Sequence, residues 1–301
     1  MNACVKALTE AFAGSDIRLN EPMKNHTSFK TGGDARIFLA PKIKSEIIKS
    51  IAICGAYKFP YFVIGGGANL IVRDTGYDGL IIKIGAAMGF MDVLPGYRVR
   101  AGAGAALAGL AAFAQRNAFA GLEFAAGIPG SVGGAACMNA GAYGGEIKDI
   151  CLSAEIIGND GKIKMYTNEE LQFTYRGSAV KDRRLIVTEV IFQLEKGDAD
   201  TIAGRMAELN DRRNAAQPLD MPSAGSAFKR PEGHHAGRLI MDAGLKGYRI
   251  GGAQVSDKHC GFIVNAGNAT SADYLRLLEH IQTTVKQKFG VYLEPEPRII
   301  G

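Results

Sequence analysis

The feature that most constrains this chain is a run of 22 residues, 124–145, that carries no charged side chain and holds seven glycines. A stretch of that length could suggest a membrane span. Pro129, Ser131, Asn139 and the glycines argue otherwise, because so irregular a backbone cannot satisfy its own polar groups in lipid. The run reads instead as a long loop, and fixing so many small residues is entropically expensive unless something orders them. Glycine makes up 39 of the 301 residues, about 13% against the usual ~7%. Its concentration in a few stretches points to backbone held close to a ligand.

The remaining composition excludes several classes. With 47% hydrophobic and 22% charged residues the chain is of ordinary globular make-up, not disordered or collagen-like. The N-terminus places Lys6, Glu10 and Asp16 where a secretory h-region would lie. Five scattered cysteines without a Cys-x-x-Cys pair suit a reducing cytoplasm and argue against a disulfide framework or a zinc site. His234, His235 and His259 lack metal-ligand spacing and read as loop or core residues. A net charge of +5 without a Lys/Arg run suits small anions and gives no sign of nucleic-acid binding. A cytoplasmic protein with no metal, no membrane association and no obligate protein partner is expected.

Hydrophobic periodicity predicts helices over 41–58, 105–120, 198–216 and 271–289, and strands over 61–64, 80–84, 97–101, 185–194, 248–255, 262–264 and 291–300. Strands over 151–157 and 162–166 flank Asn159-Asp160-Gly161, a hairpin signal. Thr167 and Glu170 form a capping-box pattern that predicts a short helix. The segment 217–233, with three prolines, reads as irregular. The texture changes at Gly197, which predicts an α+β protein of two domains, 1–197 and a smaller 198–301.

Four motifs could carry chemistry. Gly65-Gly66-Gly67-Ala68-Asn69-Leu70 follows a strand and could turn several backbone N–H groups toward an anion. It is neither a P-loop nor a Rossmann turn, and a plain tight turn explains it about as well. The segment 127–134, with Gly130, Ser131, Gly133 and Gly134, continues into 139–145. Close helix–sheet packing is its bland reading; the sharper one is a dinucleotide lying extended between the two loops. Ser226, in Pro222-Ser223-Ala224-Gly225-Ser226-Ala227-Phe228-Lys229, lacks a nucleophile-elbow context. In Leu293-Glu294-Pro295-Glu296-Pro297-Arg298 the prolines remove ladder donors on both sides of Glu296, which predicts an edge position. Arg176, in Tyr175-Arg176-Gly177-Ser178, is by itself as plausibly a surface arginine.

In order along the chain, however, Asn25-His26-Thr27-Ser28-Phe29-Lys30-Thr31-Gly32-Gly33, the two glycine segments, Tyr175-Arg176-Gly177-Ser178, the Ser226 loop, Gly252-Ala253-Gln254-Val255-Ser256-Asp257-Lys258-His259, and the C-terminal Leu293-Glu294-Pro295-Glu296 closely resemble the UDP-N-acetylenolpyruvoylglucosamine reductases. The resemblance runs from about residue 20 to the C-terminus. It implies an FAD-binding domain of the vanillyl-alcohol-oxidase (PCMH) type followed by a C-terminal substrate domain. The FAD diphosphate would lie against residues 65–70 and 130–134. No histidine sits in either loop, so non-covalent FAD is expected, with NADPH as co-substrate.

The reaction implied is reduction of the enolpyruvyl ether of UDP-N-acetylglucosamine to UDP-N-acetylmuramate, for peptidoglycan. By the same resemblance Arg176 and Glu296 stabilise the charge that builds on the substrate, with Glu296 either protonated or bridged by Arg176. Ser226 delivers the proton to the adjacent carbon, and Lys229 is a candidate to resupply it. Arg213, Gln217 and Gln254 are candidate contacts to the UDP moiety. Pro297 stands where the family pattern has an apolar β residue, which puts the pairing of that strand in question. The chain resembles the shorter class of these reductases, without an inserted closing segment. An FAD-dependent oxidase of the same fold, acting on an alcohol or hydroxy acid, would keep the glycine loops without needing Ser226 and Glu296. A non-catalytic flavin- or nucleotide-binding protein would need neither, nor Arg176.

Overall fold

The computed structural model describes residues 3–301. The chain divides into two compact units. The first comprises residues up to Leu19, Ile37–Gly66 and Gly79–Arg212; the second comprises Asn20–Arg36, Gly67–Asp78 and Arg213–Gly301.

The first unit is built on a five-stranded antiparallel sheet in the order Ile163–Thr167, Cys151–Ile157, Ile186–Gln193, Arg98–Gly102, Met91–Leu94. A second sheet includes Tyr61–Ile64 and Tyr77–Lys83 in parallel, with Tyr61 opposite Leu80 and Ile64 opposite Lys83. Ile186–Gln193 is central because it is apolar on both faces: Ile186, Val187, Val190 and Phe192 are all buried. The two polar residues buried in it are matched. Thr188 donates to the Glu155 carboxylate across the strand, and Lys44 bridges Glu155 and Glu189 at 2.5 and 3.2 Å. The helix Lys44–Ala56 buries Ile47, Ser50, Ile51 and Cys54, one face at helical spacing. Leu107–Arg116 does the same with Leu107, Leu110, Ala111 and Ala114.

The second unit has its own core. The long helix Ser271–Phe289 starts at a capping box formed by Thr270 and Asp273 and stops at Gly290, whose φ of +71° suits a residue without Cβ. Its buried Tyr274, Leu277, Ile281 and Val285 meet Ile240, Ala253, Val255 and Ile263. The sheet beneath runs Ser223–Ser226, Phe262–Asn265, Ala253–Val255, Arg249–Ile250, all antiparallel. Two short strands complete the unit: Leu70–Val72 lies parallel to Arg298–Ile300, with Leu70 opposite Arg298.

Several sequence expectations are corrected. The strand expected over 248–255 is two strands joined by the turn at Gly251 and Gly252. The final strand covers Arg298–Ile300 only, because Pro295 and Pro297 cannot donate to a ladder. Part of the supposedly irregular 217–233 is the strand Ser223–Ser226. Thr167 and Glu170 do exchange capping-box hydrogen bonds, at 2.8 and 3.3 Å, but these close a turn, and no helix follows. Each compact unit draws on three separate stretches of the chain. Residues 20–36 and 67–78 lie with the C-terminal part because Phe29 packs edge-on against Tyr274, with ring centroids 4.8 Å apart, and Leu70–Val72 pairs with the chain's last strand.

Among the described residues, no helix is long and apolar enough to cross a membrane, and no group of three or more His, Cys, Asp or Glu could hold a metal ion.

Candidate functional site

The two glycine segments meet inside the first unit. A Cβ on Gly65 would collide with Ser131 Oγ, and one on Gly66 would lie 2.9 Å from Gly130 Cα. Only glycine allows this approach. Ser131 caps the helix Val132–Met138, its Oγ accepting from Gly134 N at 3.3 Å. The N–H groups of Val132 and Gly133 donate to Ala105 O and Ala103 O, both at 2.9 Å. The second segment thus spends the amides of Val132, Gly133 and Gly134 inside the protein. The first does not: among the described residues, the N–H groups of Gly65, Gly66, Gly67, Ala68 and Asn69 donate to no protein acceptor. Successive unpaired amides in a turn without side-chain bulk fit an anionic group such as a dinucleotide's diphosphate. Gly67, in the second unit, has φ +68°, and a Cβ there would run into His26 O.

Arg176 sits at the tip of a tight turn closed by Thr174 and Gly177, whose N–H groups donate to each other's carbonyls at 3.0 and 3.3 Å. Its φ is +58°, a conformation costing a non-glycine residue about 1–2 kcal/mol. Three contacts hold the turn in place. Arg176 donates to Gly141 O at 3.3 Å, Ser178 Oγ donates to Cys137 O at 2.9 Å, and Asn139 Nδ2 donates to Thr174 O at 3.0 Å. Asn139 is fully buried, with φ +43° at the end of the helix Val132–Met138. It also donates to Glu146 at 3.0 Å and accepts from Lys148 N at 2.9 Å. The Lys148 ammonium, 2.9 Å away, holds the Glu146 carboxyl below its ordinary range. The sequence reading gave Asn139 no role. An asparagine between a helix and a glycine-rich turn is the usual signal of a left-handed cap.

In the second unit the structure brings Ser226 and Glu296 together. Ser226 ends the strand Ser223–Ser226, opposite Phe262. The next residues run antiparallel to the C-terminal segment: Phe228 bridges Pro295, Lys229 N donates to Glu294 O at 2.9 Å, and Glu296 N donates to Ala227 O at 3.1 Å. Because proline precedes and follows Glu296, its N–H is the only donor in 295–297, and it is spent on the residue beside Ser226. Pro297 disrupts nothing, since the ladder begins one residue later with Arg298 N donating to Asn69 O at 3.0 Å. Asn69 Nδ2 donates to Glu296 O at 3.3 Å. Beneath lies Tyr274, whose hydroxyl is pushed above the ordinary phenol value by burial and, secondly, by the charge of Glu296.

The remaining candidates are dispersed. Lys229 pairs with the exposed Glu294 at 2.5 Å. Gln217 N donates to Arg213 O at 2.8 Å, and Gln217 Oε1 is buried with no hydrogen-bond partner among the described residues. Gln254 donates to Asp257 at 2.9 Å. His259, read as a loop or core residue, is half-buried, and its Nδ1 accepts from Gly261 N at 3.0 Å.

Known proteins resemble this chain over nearly its whole length. Residues 217–300 match the family model for the UDP-N-acetylenolpyruvoylglucosamine reductase C-terminal domain, and 35–166 match an FAD binding domain. The chain is 47% identical over 297 residues to a protein of Caldanaerobacter subterraneus subsp. tengcongensis named UDP-N-acetylenolpyruvoylglucosamine reductase, covering 99% of this chain and 98% of that one. It is 50% identical over 287 residues to the protein of that name from Clostridium botulinum strain Hall, covering 95% and 93%. Among solved structures, the UDP-N-acetylenolpyruvylglucosamine reductase of Thermus caldophilus superposes with a TM-score of 0.82 at 36% identity, over 95% of this chain and 99% of that chain.

Proposed function

The chain belongs to the UDP-N-acetylenolpyruvoylglucosamine reductase family, and on that premise we propose that it uses NADPH to reduce the enolpyruvyl group of UDP-N-acetylglucosamine enolpyruvate, giving UDP-N-acetylmuramate. The observation that carries this reading is the hydrogen bond from Glu296 N–H to Ala227 O, which brings the backbone of Glu296 to the residue that follows Ser226. An oxidase of alcohols would need neither residue there. The match of 35–166 to an FAD binding domain and of 217–300 to the reductase C-terminal domain supports a flavin part and a substrate part, with the proposed boundary near 197 falling between them.

Non-covalent FAD, when bound, supplies the hydride relay that lets NADPH and the enolpyruvyl ether react in turn. The residues of this chain do the rest. The unpaired N–H groups of 65–69 meet the negative charge of the diphosphate, and Gly130, Ser131, Gly133 and Gly134 hold that loop in shape. Hydride addition to the terminal carbon builds negative charge that spreads from the neighbouring carbon into the substrate carboxylate. Stabilising that charge is the main electrostatic task, and it is assigned to Arg176 and Glu296. Ser226 gives its proton to the carbon carrying the charge. A hydroxyl is a weak acid, so it works only when held against a strongly basic centre and supplied with a replacement proton. Lys229 gives one ammonium proton to Glu294 and keeps two further donors for resupply. Arg213, Gln217 and Gln254 are proposed contacts to the UDP moiety; the buried Gln217 Oε1 favours a donor on the ligand. Five scattered cysteines without a Cys-x-x-Cys pair support a reducing, cytoplasmic place of action.

The test is NADPH consumption by the purified protein. It should require the enolpyruvyl ether and yield a product heavier by two hydrogens. Consumption that instead tracks oxygen uptake and ignores that ether would favour the oxidase reading.

A further inference from the structure

The peptide of Glu296 is held from two sides. Its N–H goes to Ala227 O, next to Ser226, and its carbonyl accepts from Asn69 Nδ2 at 3.3 Å. The carbonyl of Asn69 in turn accepts from Arg298 N at 3.0 Å, so the Asn69 residue grips the chain on both sides of Pro297, which has no N–H of its own. Immediately after Asn69, Leu70, Ile71 and Val72 pair in register with Arg298, Ile299 and Ile300. Immediately before it, Gly67 and Ala68 carry N–H groups that no acceptor among the described residues takes. Gly67 is itself pinned, its carbonyl accepting from Ser28 N at 3.1 Å and its Cα pressed against His26 O. The loop that awaits an anion and the carboxylate assigned to the substrate are therefore one residue apart in hydrogen-bonded structure.

We propose that Asn69 is a positioning residue that ties occupancy of the 67–70 loop by FAD to the placement of Glu296. The proposal rests on the FAD and Glu296 assignments above. An anion ordering the amides of 67–69 fixes the Asn69 backbone. That backbone fixes Arg298 N–H, and the Asn69 carboxamide fixes the carbonyl of Glu296. Without FAD the grip on 296–298 loosens, and Glu296 loses its set position beside Ser226. The link needs a side-chain donor at residue 69. Asn69→Asp keeps the size but turns a carboxylate toward the Glu296 carbonyl, which repels instead of donating.

The test is amide hydrogen exchange on the full chain, with FAD bound and with FAD removed. In the wild type, removing FAD should speed exchange in the peptide 293–301 by about tenfold, as a locally opened segment does. In Asn69→Asp with saturating FAD, that peptide should exchange as fast as in the FAD-free wild type. The peptide 127–138 should keep its FAD-dependent protection, showing that the cofactor is bound. Equal protection of 293–301 in the variant and the wild type would overturn the role of Asn69. Should the variant fail to fold or to take up FAD, the wild type alone decides: no change in 293–301 on removing FAD overturns the coupling. No substrate enters this experiment. A wild type that shows the coupling yet leaves the enolpyruvyl ether untouched would refute the proposed function and not the coupling.

Discussion

Replacing Asn139 should damage both stability and the substrate half of the reaction, and the size of the loss can be worked from its contacts. Asn139→Ala leaves Lys148 N–H without Oδ1, its acceptor in a part-buried hydrogen bond, at about 1–2 kcal/mol. It removes the donor to Thr174 O, worth about 1 kcal/mol. The loss to Glu146 is small because Lys148 still bonds that carboxylate. Alanine at φ +43° adds about 1 kcal/mol that asparagine largely avoids. The total is about 3–4 kcal/mol, or roughly 6–16 °C in melting temperature for a unit of this size. Asn139→Gly escapes the backbone penalty and should be about 1 kcal/mol better than the alanine variant. Asn139→Asp keeps the acceptor for Lys148 N but sets a carboxylate against Glu146. Asn139 is one of the donors that hold the Glu146 carboxyl below its ordinary range, so the variant should raise that pKa and the repulsion should ease as the pH falls. The chain has no tryptophan, so unfolding in urea is best followed by far-UV circular dichroism at a fixed FAD concentration. With the Thr174 turn released, Arg176 should no longer be held in place, and reoxidation of reduced enzyme by substrate should slow. An alanine variant within ~1 kcal/mol of wild type, or a glycine variant no better than it, would refute this account of the turn.

Ser226→Ala should leave flavin reduction by NADPH intact while slowing reoxidation by substrate at least ~100-fold in stopped-flow measurements; equal loss in both steps would remove the proton-delivery role. Gly67→Ala forces a Cβ onto His26 O at a left-handed position, and FAD affinity by fluorescence titration should weaken at least ~10-fold. Gly96→Ala, with φ +77° but open space around it, should cost stability alone; similar FAD loss in both would show that the approach to His26 is irrelevant. Burial lowers the His259 pKa from 6.5. Because the unfolded chain then binds more protons, its contribution is full above pH 6.5 and is lost as pH falls through the lower folded value. His259→Asn keeps an acceptor for Gly261 N–H and should flatten that part of the stability–pH curve; an unchanged slope would assign it to other groups.

Much of the architecture could be read in the residues, and what could not has physical causes. The helix Ser271–Phe289 announces itself through Thr270, Asp273 and a full apolar stripe ended by Gly290. Both glycine segments, and the special context of Ser226 and Glu296, also stand out in the sequence. The pairing of Leu70–Val72 with Arg298–Ile300 does not, because three-residue strands have no period and their partners are separated by almost the whole chain. For the same reason, the placement of 20–36 and 67–78 with the C-terminal unit is set by tertiary contacts that no local pattern records. Pro297 looked like an obstacle to strand pairing. Only the register, which starts the ladder at Arg298, shows why it is tolerated. Arg176 is a weak signal locally; its left-handed turn becomes meaningful once Asn139 and Ser178 are seen to brace it.

The central claim is that one flavin is reduced by NADPH and reoxidised by the enolpyruvyl ether. An anaerobic absorbance titration tests it most directly. The oxidised flavin band should bleach on adding NADPH and return on adding UDP-N-acetylglucosamine enolpyruvate, in the absence of oxygen. A band that bleaches but returns only when air is admitted would contradict the claim, and a purified protein that is colourless and takes up no FAD would contradict the reading of both glycine segments.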